Sequence, residues 1–273
     1  MDNLIIAKNE GAMRTAPYVD AKQKLSAVSV HRSYLDVNGP KSLTGGDYVY
    51  RLTQGGCSIG KYLYTCMVED ERIEVAKCVI VKIDLENGKV VGYSKELELG
   101  HANDLTYDPD NNTIVVAYCT DGSILKILDA DTHELKDTVR LQHCGVFSIS
   151  YDPIKKYYVG PCHNYINYVN ADFSFIRKVP YKNNGNPKQG VFSDGTYLYM
   201  LEYWRNPYDP EDMRNSLIIF DLETAEPVNK VDLGIRCESE NITWWNGKFY
   251  VTCNNRSWYG SRVYEVEIKS SEG

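Results

Sequence analysis

The 273-residue sequence predicts an all-β chain made of five repeated four-stranded units closed into a ring. Three observations predict it. First, QGGCSIGKYLYTC (54–66) and QGVFSDGTYLYML (189–201) align without a gap although they lie 135 residues apart. Gln54 falls on Gln189, Gly55 on Gly190, and Tyr62, Leu63 and Tyr64 fall on Tyr197, Leu198 and Tyr199. Second, NDLTYDPDNNTIVVAYC (103–119), FSISYDPIKKYYVGPC (147–162) and ENITWWNGKFYVTC (240–253) follow the same plan more loosely. Each is a short strand, a turn rich in Gly, Asn, Asp or Pro, and a second strand, which is a hairpin pattern. Third, the chain carries 22 tyrosines, a residue that suits pleated, half-buried surfaces.

A second repeat follows each hairpin. It begins at Cys78 (CVIVKIDLENGKVV), Ser123 (SILKILDADTHELK), Tyr165 (YINYVNADFSFIRK) and Ser216 (SLIIFDLETAEPVNK), and a fifth copy starts at Ser261. Asp84, Asp129, Asn170 and Asp221 each end an apolar strand and open a turn, which an Asx side chain stabilises by bonding its own backbone. Every unit therefore has four strands, a to d. The a strands start near Gln54, Asn103, Phe147, Gln189 and Glu240, at spacings of 49, 44, 42 and 51 residues. Four strands in a period of roughly 40 to 50 residues is the pattern of a β-propeller. The fifth unit lacks its d strand. GDYVYRLTQGG has the form of the other d-to-a junctions, so residues 47–52 are expected to supply that strand and close a single propeller domain over 47–273. Closure removes an exposed sheet edge. Residues 1–46 form an N-terminal segment. Within it, KLSAVSVHRSYLDV reads as one more strand at the closure or as an element packed over one face.

On these repeats the chain resembles the five-bladed β-propeller superfamily. The resemblance covers most of the chain and is architectural: neither the Asp-box of sialidases (S-x-D-x-G-x-x-W) nor the WD dipeptide of WD40 repeats is present. It implies a central channel and, by similarity to five-bladed glycoside hydrolases, axial carboxylates.

The net charge of −7 argues against a nucleic-acid partner, which would need an excess of Lys and Arg. No apolar run approaches the ~20 residues needed to span a bilayer. The opening MDNLIIAKNEGAMRTAPYV lacks a basic stretch followed by a long apolar one, so a cytoplasmic protein is expected. Eight cysteines without a C-x-x-C pair lack the usual zinc-ribbon or thioredoxin spacing, and free thiols are expected. Cys66, Cys119, Cys162 and Cys253 recur at the ends of b strands, as small packing residues would. Cys144 beside His143 makes a poor nucleophile–base pair, because neighbours on a strand point to opposite faces.

In a propeller the a strands start at the rim where the b strands end. Polar residues at those positions are expected to converge on one funnel, a natural binding site. From the a-strand starts come Gln54, His101, Asn103, Asp104, Gln189, Glu240 and Asn241. From the b-strand ends and the loops after them come His163, Glu202, Trp204, Arg205, Arg256 and Trp258. Asp104 and Glu240 form the best-placed acid pair for hydrolase or lyase chemistry, with His101 as an alternative proton carrier. Gln54, Asn103, Gln189 and Asn241 would hydrogen-bond a ligand, alongside Glu202 and His163. Trp204, Arg205, Arg256 and Trp258 would grip it by stacking and charge. The expected ligand is a polar small molecule, a carbohydrate or a peptide end, bound without a cofactor. The metal alternative is a divalent cation held by the oxygen donors Asn103, Asp104, Glu240 and Asn241. The sequence leaves open whether the site is catalytic or whether the propeller is a noncatalytic platform for another protein.

Overall fold

The computed structural model describes residues 18–35, 50, 52–68, 77–118, 121–255 and 260–270, in which there are twenty strands. No helix among these residues is long and apolar enough to cross a membrane. The strands form five antiparallel four-stranded sheets. The first blade is β2 (Leu52–Ile59), β3 (Tyr62–Val68), β4 (Cys78–Asp84) and β5 (Lys89–Tyr93). The second is β6 (Asp104–Asp108), β7 (Thr113–Ala117), β8 (Ile124–Asp129) and β9 (Leu135–Arg140). The third is β10 (Ser150–Asp152), β11 (Tyr157–Cys162), β12 (Tyr165–Asn170) and β13 (Phe175–Pro180). The fourth is β14 (Lys188–Ser193), β15 (Tyr197–Asn206), β16 (Asp209–Asp221) and β17 (Pro227–Asp232). The fifth joins β18 (Glu238–Trp245), β19 (Lys248–Asn255) and β20 (Gly260–Ser270) to β1 (Leu25–Leu35).

The closing strand is therefore Leu25–Leu35 and not residues 47–52. It runs antiparallel to β20 from Leu25 opposite Ser270 to Leu35 opposite Ser261. Only a segment of that length can cover the eleven residues of β20; a six-residue segment would leave half its edge bare. Leu52 instead opens β2, and residues 47–49 and 51 lie outside the described residues.

Five apolar clusters hold the ring together, one at each seam between blades. Ile80 and Cys66 meet Ile114 and Val116 between the first and second blades. Val115 and Leu125 meet Ile149 and Tyr158 between the second and third. Ile166 and Tyr168 meet Leu198 and Phe220 between the third and fourth. Leu217 and Ile219 meet Phe249 and Val251 at the next seam, which also buries Val19 and Ala21 of the N-terminal segment. Tyr250 and Val263 meet Leu63 and Ile83 where the ring closes. A middle strand is covered on both faces by neighbouring blades, so β7 (TIVVA) is buried throughout. An outer strand projects alternate residues to solvent, as in β5 and β13. Three of the four expected Asx turns form: Asp84 accepts the Glu86 N–H at 2.9 Å, Asp129 accepts Asp131 and Thr132 at 3.0 Å, and Asp221 accepts Thr224 at 2.9 Å, whereas Asn170 donates to Ser174 Oγ and Asp172 takes the turn N–H.

The repeated Gln-Gly has a structural meaning. In β2 the register shifts between Thr53 and Gly56, and in β14 between Lys188 and Val191. Each Gln-Gly thus lies in an irregularity of an innermost strand, where bulges commonly redirect side chains. The glycine lets the neighbouring strand approach. A Cβ on Gly55 would lie 2.1 Å from the Cα of Asp104, and one on Gly190 would lie 2.7 Å from the Cα of Asn241. Gly55→Ala should therefore cost about 3 kcal/mol or abolish folding, because the obstacle is backbone. Gly92→Ala, with nothing within 4 Å of its Cβ, should leave the melting temperature unchanged within about 2 °C. Thermal unfolding of the two variants checks this; equal melting temperatures would contradict it.

Candidate functional site

Asp104 lies at the axis with no exposed surface. Its Oδ2 accepts the Ile149 N–H of the third blade at 3.0 Å and the Val191 N–H of the fourth at 3.2 Å. Its Oδ1 accepts its neighbour's N–H, from Leu105, at 2.9 Å and faces Asn241 Nδ2 of the fifth blade at 3.5 Å. With Gly55 of the first blade packed on its Cα, one residue touches all five blades. Burial pushes its carboxyl up to about 8, against the pull of the three backbone donors.

Several other polar side chains of this end bond to the frame, while the buried Oε1 of Gln54 and Oδ1 of Asn241 have no hydrogen-bond partner among the described residues. The β6 strand begins at Asp104, so His101 and Asn103 belong to the turn that precedes it, where Gly100 and Ala102 take left-handed φ values of 62° and 49°. Asn103 Nδ2 donates to the carbonyl of Phe147 in the next blade at 2.6 Å. Glu240 is buried and accepts Asn254 Nδ2 at 2.8 Å; Asn254 in turn bonds both the N–H and the carbonyl of Thr53 at 2.8 Å, lacing the ring closure. Asn241 Nδ2 donates to the Gly56 carbonyl. Gln54 is buried, and the half-buried Gln189 offers its carbonyl to Ser148 Oγ at 2.9 Å. Asp104 and Glu240 thus hold different partners. Among the described residues no three His, Cys, Asp or Glu side chains gather as metal ligands.

Glu202 is buried between Lys188 Nζ at 2.7 Å and Lys230 Nζ at 2.5 Å. Burial alone would raise its carboxyl, but the two ammonium groups outweigh that and hold it at about 2. Trp204 and Arg205 are exposed on the β15–β16 hairpin, with the Arg214 guanidinium 5.3 Å from the Trp204 ring centre. His163 is exposed and meets Phe147 edge-on at 5.2 Å. Arg256 and Trp258 lie outside the described residues.

A cavity of about 650 Å³ opens on the opposite end of the ring, among the a-to-b turns. All five innermost strands line it. Leu105, Val191 and Ile242 form apolar parts of its wall, and Ser58, Thr106, Ser150, Ser193 and Thr243 add hydroxyls. These hydroxyls also tie blade to blade: Thr106 Oγ1 accepts the Tyr151 N–H at 2.7 Å, Ser150 Oγ accepts the Ser193 N–H at 2.9 Å, and Thr243 Oγ1 donates to Ser58 Oγ at 2.7 Å. Aromatic residues line it too: Tyr107, Tyr151, Phe192, Trp244 and Trp245. Tyr18 lies nearly parallel on Trp244, with ring centres 4.3 Å apart, and its N–H donates to Asp194 at 2.9 Å. At the rim, Lys156 Nζ pairs with Asp110 at 2.7 Å, and Tyr151 OH also donates to that carboxylate. Lys156 and the hydroxyl of Tyr151 hold Asp110 below the usual carboxylate range. Sequence reasoning missed these residues. The signal was present: an aromatic residue recurs within a few positions of the a-to-b turn in TYDP, SYDP, VFSDG and TWWNG.

The axial carboxyl predicts a pH dependence. Its raised pKa contributes stability that is complete below about pH 4, declines as pH rises, and is gone above about 8. Glu202 acts in the opposite sense: its contribution is complete above about pH 4.3 and declines as pH falls toward 2. Urea unfolding should therefore show stability falling from pH 5 to pH 9, with that slope flattened in Asp104→Asn. An unchanged slope in the variant would contradict the assignment.

No protein-family model matches the chain, and no curated protein does. Two of the solved structures similar to it illustrate the likeness. One is titled a tail fiber of Staphylococcus aureus phage P68, at 11% identity and a TM-score of 0.56, covering 91% of this chain and 54% of that one. This chain thus spans about half the length of that tail-fibre chain. The other is a nidogen/laminin complex, at 14% identity and a TM-score of 0.46, covering 80% of this chain and 85% of that one. Identity this low speaks to fold alone. With five antiparallel four-stranded sheets around one axis, the chain is a five-bladed β-propeller.

Proposed function

We propose that this propeller is a binding module for a neutral, polyhydroxylated small molecule, a sugar, held in the cavity among the a-to-b turns. The observation that carries the reading is the gathering of aromatic residues and hydroxyls around one 650 Å³ space. That volume lies within the roughly 300 to 1,000 Å³ of small-molecule sites. A sugar ring presents an apolar face to an aromatic plane and hydroxyls at its edge, and Trp245 and Tyr107 line the same cavity as the Asp110–Lys156 pair. The compensated charge of that pair favours a neutral ligand over a strongly ionic one.

The reading assigns Asp104 and Glu240 to the frame and binding without turnover to the cavity. Asp194, on the cavity wall, accepts bonds from Tyr18, Thr196, Tyr197 and Tyr199 and keeps no lone pair for a substrate proton. A platform for another protein is the second reading. Its support is the β15–β16 hairpin, whose tip carries Tyr208 at 94% exposure beside the outward-facing Trp204.

Calorimetric titration with a panel of neutral mono- and disaccharides tests the proposal. At least one sugar should bind, Trp245→Ala should weaken it tenfold or more, and Trp204→Ala should leave it unchanged. No binding across the panel, or binding indifferent to both Trp245→Ala and Tyr107→Ala, would overturn it.

A further inference from the structure

The β15–β16 hairpin carries a second polar depression, away from the cavity. Its strands have ten and thirteen residues, against six each in β11 and β12 of the preceding blade. One face of this sheet begins as core: Met200 and Ile218 pack in the seam with Ile166 of the third blade. Further along the hairpin the same face turns polar, and Trp204, Arg214 and Asp232 are exposed. The strand register fixes which side chains share it. Lys188, Glu202, Ser216 and Asp232 stand opposite one another across all four strands, and Trp204 stands opposite Arg214 two residues further on. Opposed residues, and residues two apart on a strand, point to one face. Glu202, Trp204, Arg214, Ser216, Lys230 and Asp232 accordingly line one depression of about 260 Å³.

Its charges are unequally engaged. Glu202 is buried and held by Lys188 and Lys230 at 2.7 and 2.5 Å. Arg214 and Asp232 have no such hold. Arg214 Nε lies 3.6 Å from Asp212 Oδ1, longer than a hydrogen bond, and the guanidinium rests over the Trp204 ring at 5.3 Å. A guanidinium stacked on a ring keeps the N–H edge of its fork open to a planar anion. Asp232 accepts the Gly234 N–H on Oδ1 at 2.8 Å and makes no ion pair among the described residues. A cation and an anion thus face one space without pairing with each other. They sit on a diagonal of neighbouring strands, where Cα atoms lie roughly 7–8 Å apart.

We propose that this depression binds a zwitterionic α-amino acid, with its carboxylate on the Arg214 guanidinium, its ammonium on Asp232 and its side chain against the Trp204 ring. Opposite charges joined through one carbon match opposite charges held on one sheet face. Ser216, between the two in the register, offers a hydroxyl to either end. The charges nearby balance: Lys188, Lys230 and Arg214 stand against Glu202, Asp212 and Asp232. A ligand without net charge keeps that balance, whereas a bare carboxylate leaves Asp232 without a counter-charge. The volume falls below the roughly 300 to 1,000 Å³ of drug-sized sites, which suits a ligand as small as an amino acid. The depression shares no lining residue with the cavity among the a-to-b turns, so the two sites are separately testable.

Calorimetric titration of the full-length protein with the neutral L-amino acids at millimolar concentration tests this. At least one amino acid with an aromatic or aliphatic side chain should bind, and its N-acetyl and carboxamide derivatives should each bind tenfold or more weakly. Arg214→Gln and Asp232→Asn should each weaken the parent amino acid tenfold or more. Both change exposed groups, so the melting temperature should hold. Arg140→Gln, a charge change in the second blade, should leave the binding unchanged. No binding across the set, a blocked derivative that binds as well as its parent, binding indifferent to Arg214→Gln or to Asp232→Asn, or equal sensitivity to Arg140→Gln would overturn the proposal.

Discussion

The carboxyl of Asp104 is the constraint around which the ring is built. Five sheets that meet at an axis leave their innermost strands with backbone groups that no sheet partner can reach. A buried N–H without an acceptor costs about as much as a lost hydrogen bond. Asp104 supplies acceptors to Ile149 and Val191, which belong to two different blades, and it faces Asn241 of a third. The cost of burying that carboxyl is visible in its raised pKa, which favours the neutral form at moderate pH. Around it, Thr106, Ser150 and Thr243 repeat the device with hydroxyls, side chain to neighbouring strand. The axis is therefore joined by polar bonds and the seams by apolar contact, so geometry at the centre and burial between blades are carried by different residues.

This division separates the two ends of the molecule. On the end where the a strands start, Asn103, Glu240, Asn241 and Asn254 are spent on backbone carbonyls and on one another. On the other end, the a-to-b turns splay outward and leave a cavity floored by the same strands. Much of the polarity at the axis thus ties blade to blade, and the cavity lies where aromatic residues recur beside the turns.

Much of the fold was legible in the sequence because a repeat reports architecture directly. The Gln-Gly at 54–55 and 189–190 and the Asx turns at Asp84, Asp129 and Asp221 took their expected places, and the a strands begin within three residues of theirs. The closing strand was legible as one of two alternatives: LSAVSVHRSYL has the alternation of a strand at the closure, but nothing in it chose that place over one face of the ring or named β20 as its partner across more than two hundred residues. The site was less legible for a physical reason. Buried polar residues that satisfy backbone and exposed polar residues that meet ligand have the same composition. His101, Asn103 and Asp104 therefore read as a funnel mouth, when Asp104 is sealed and Asn103 is bound to the next blade. Nor does a sequence say which end of the ring opens; that depends on how far the turns diverge, a property of packing.

The central claim is that one carboxyl organises the meeting of the blades, and amide hydrogen exchange reads it most directly. In the native protein the Ile149 and Val191 amides should be among the slowest to exchange. In Asp104→Ala both should lose protection together, although they lie in separate sheets, while amides of the β3–β4 ladder in the first blade keep theirs. Unchanged protection at Ile149 and Val191 in that variant would contradict the account.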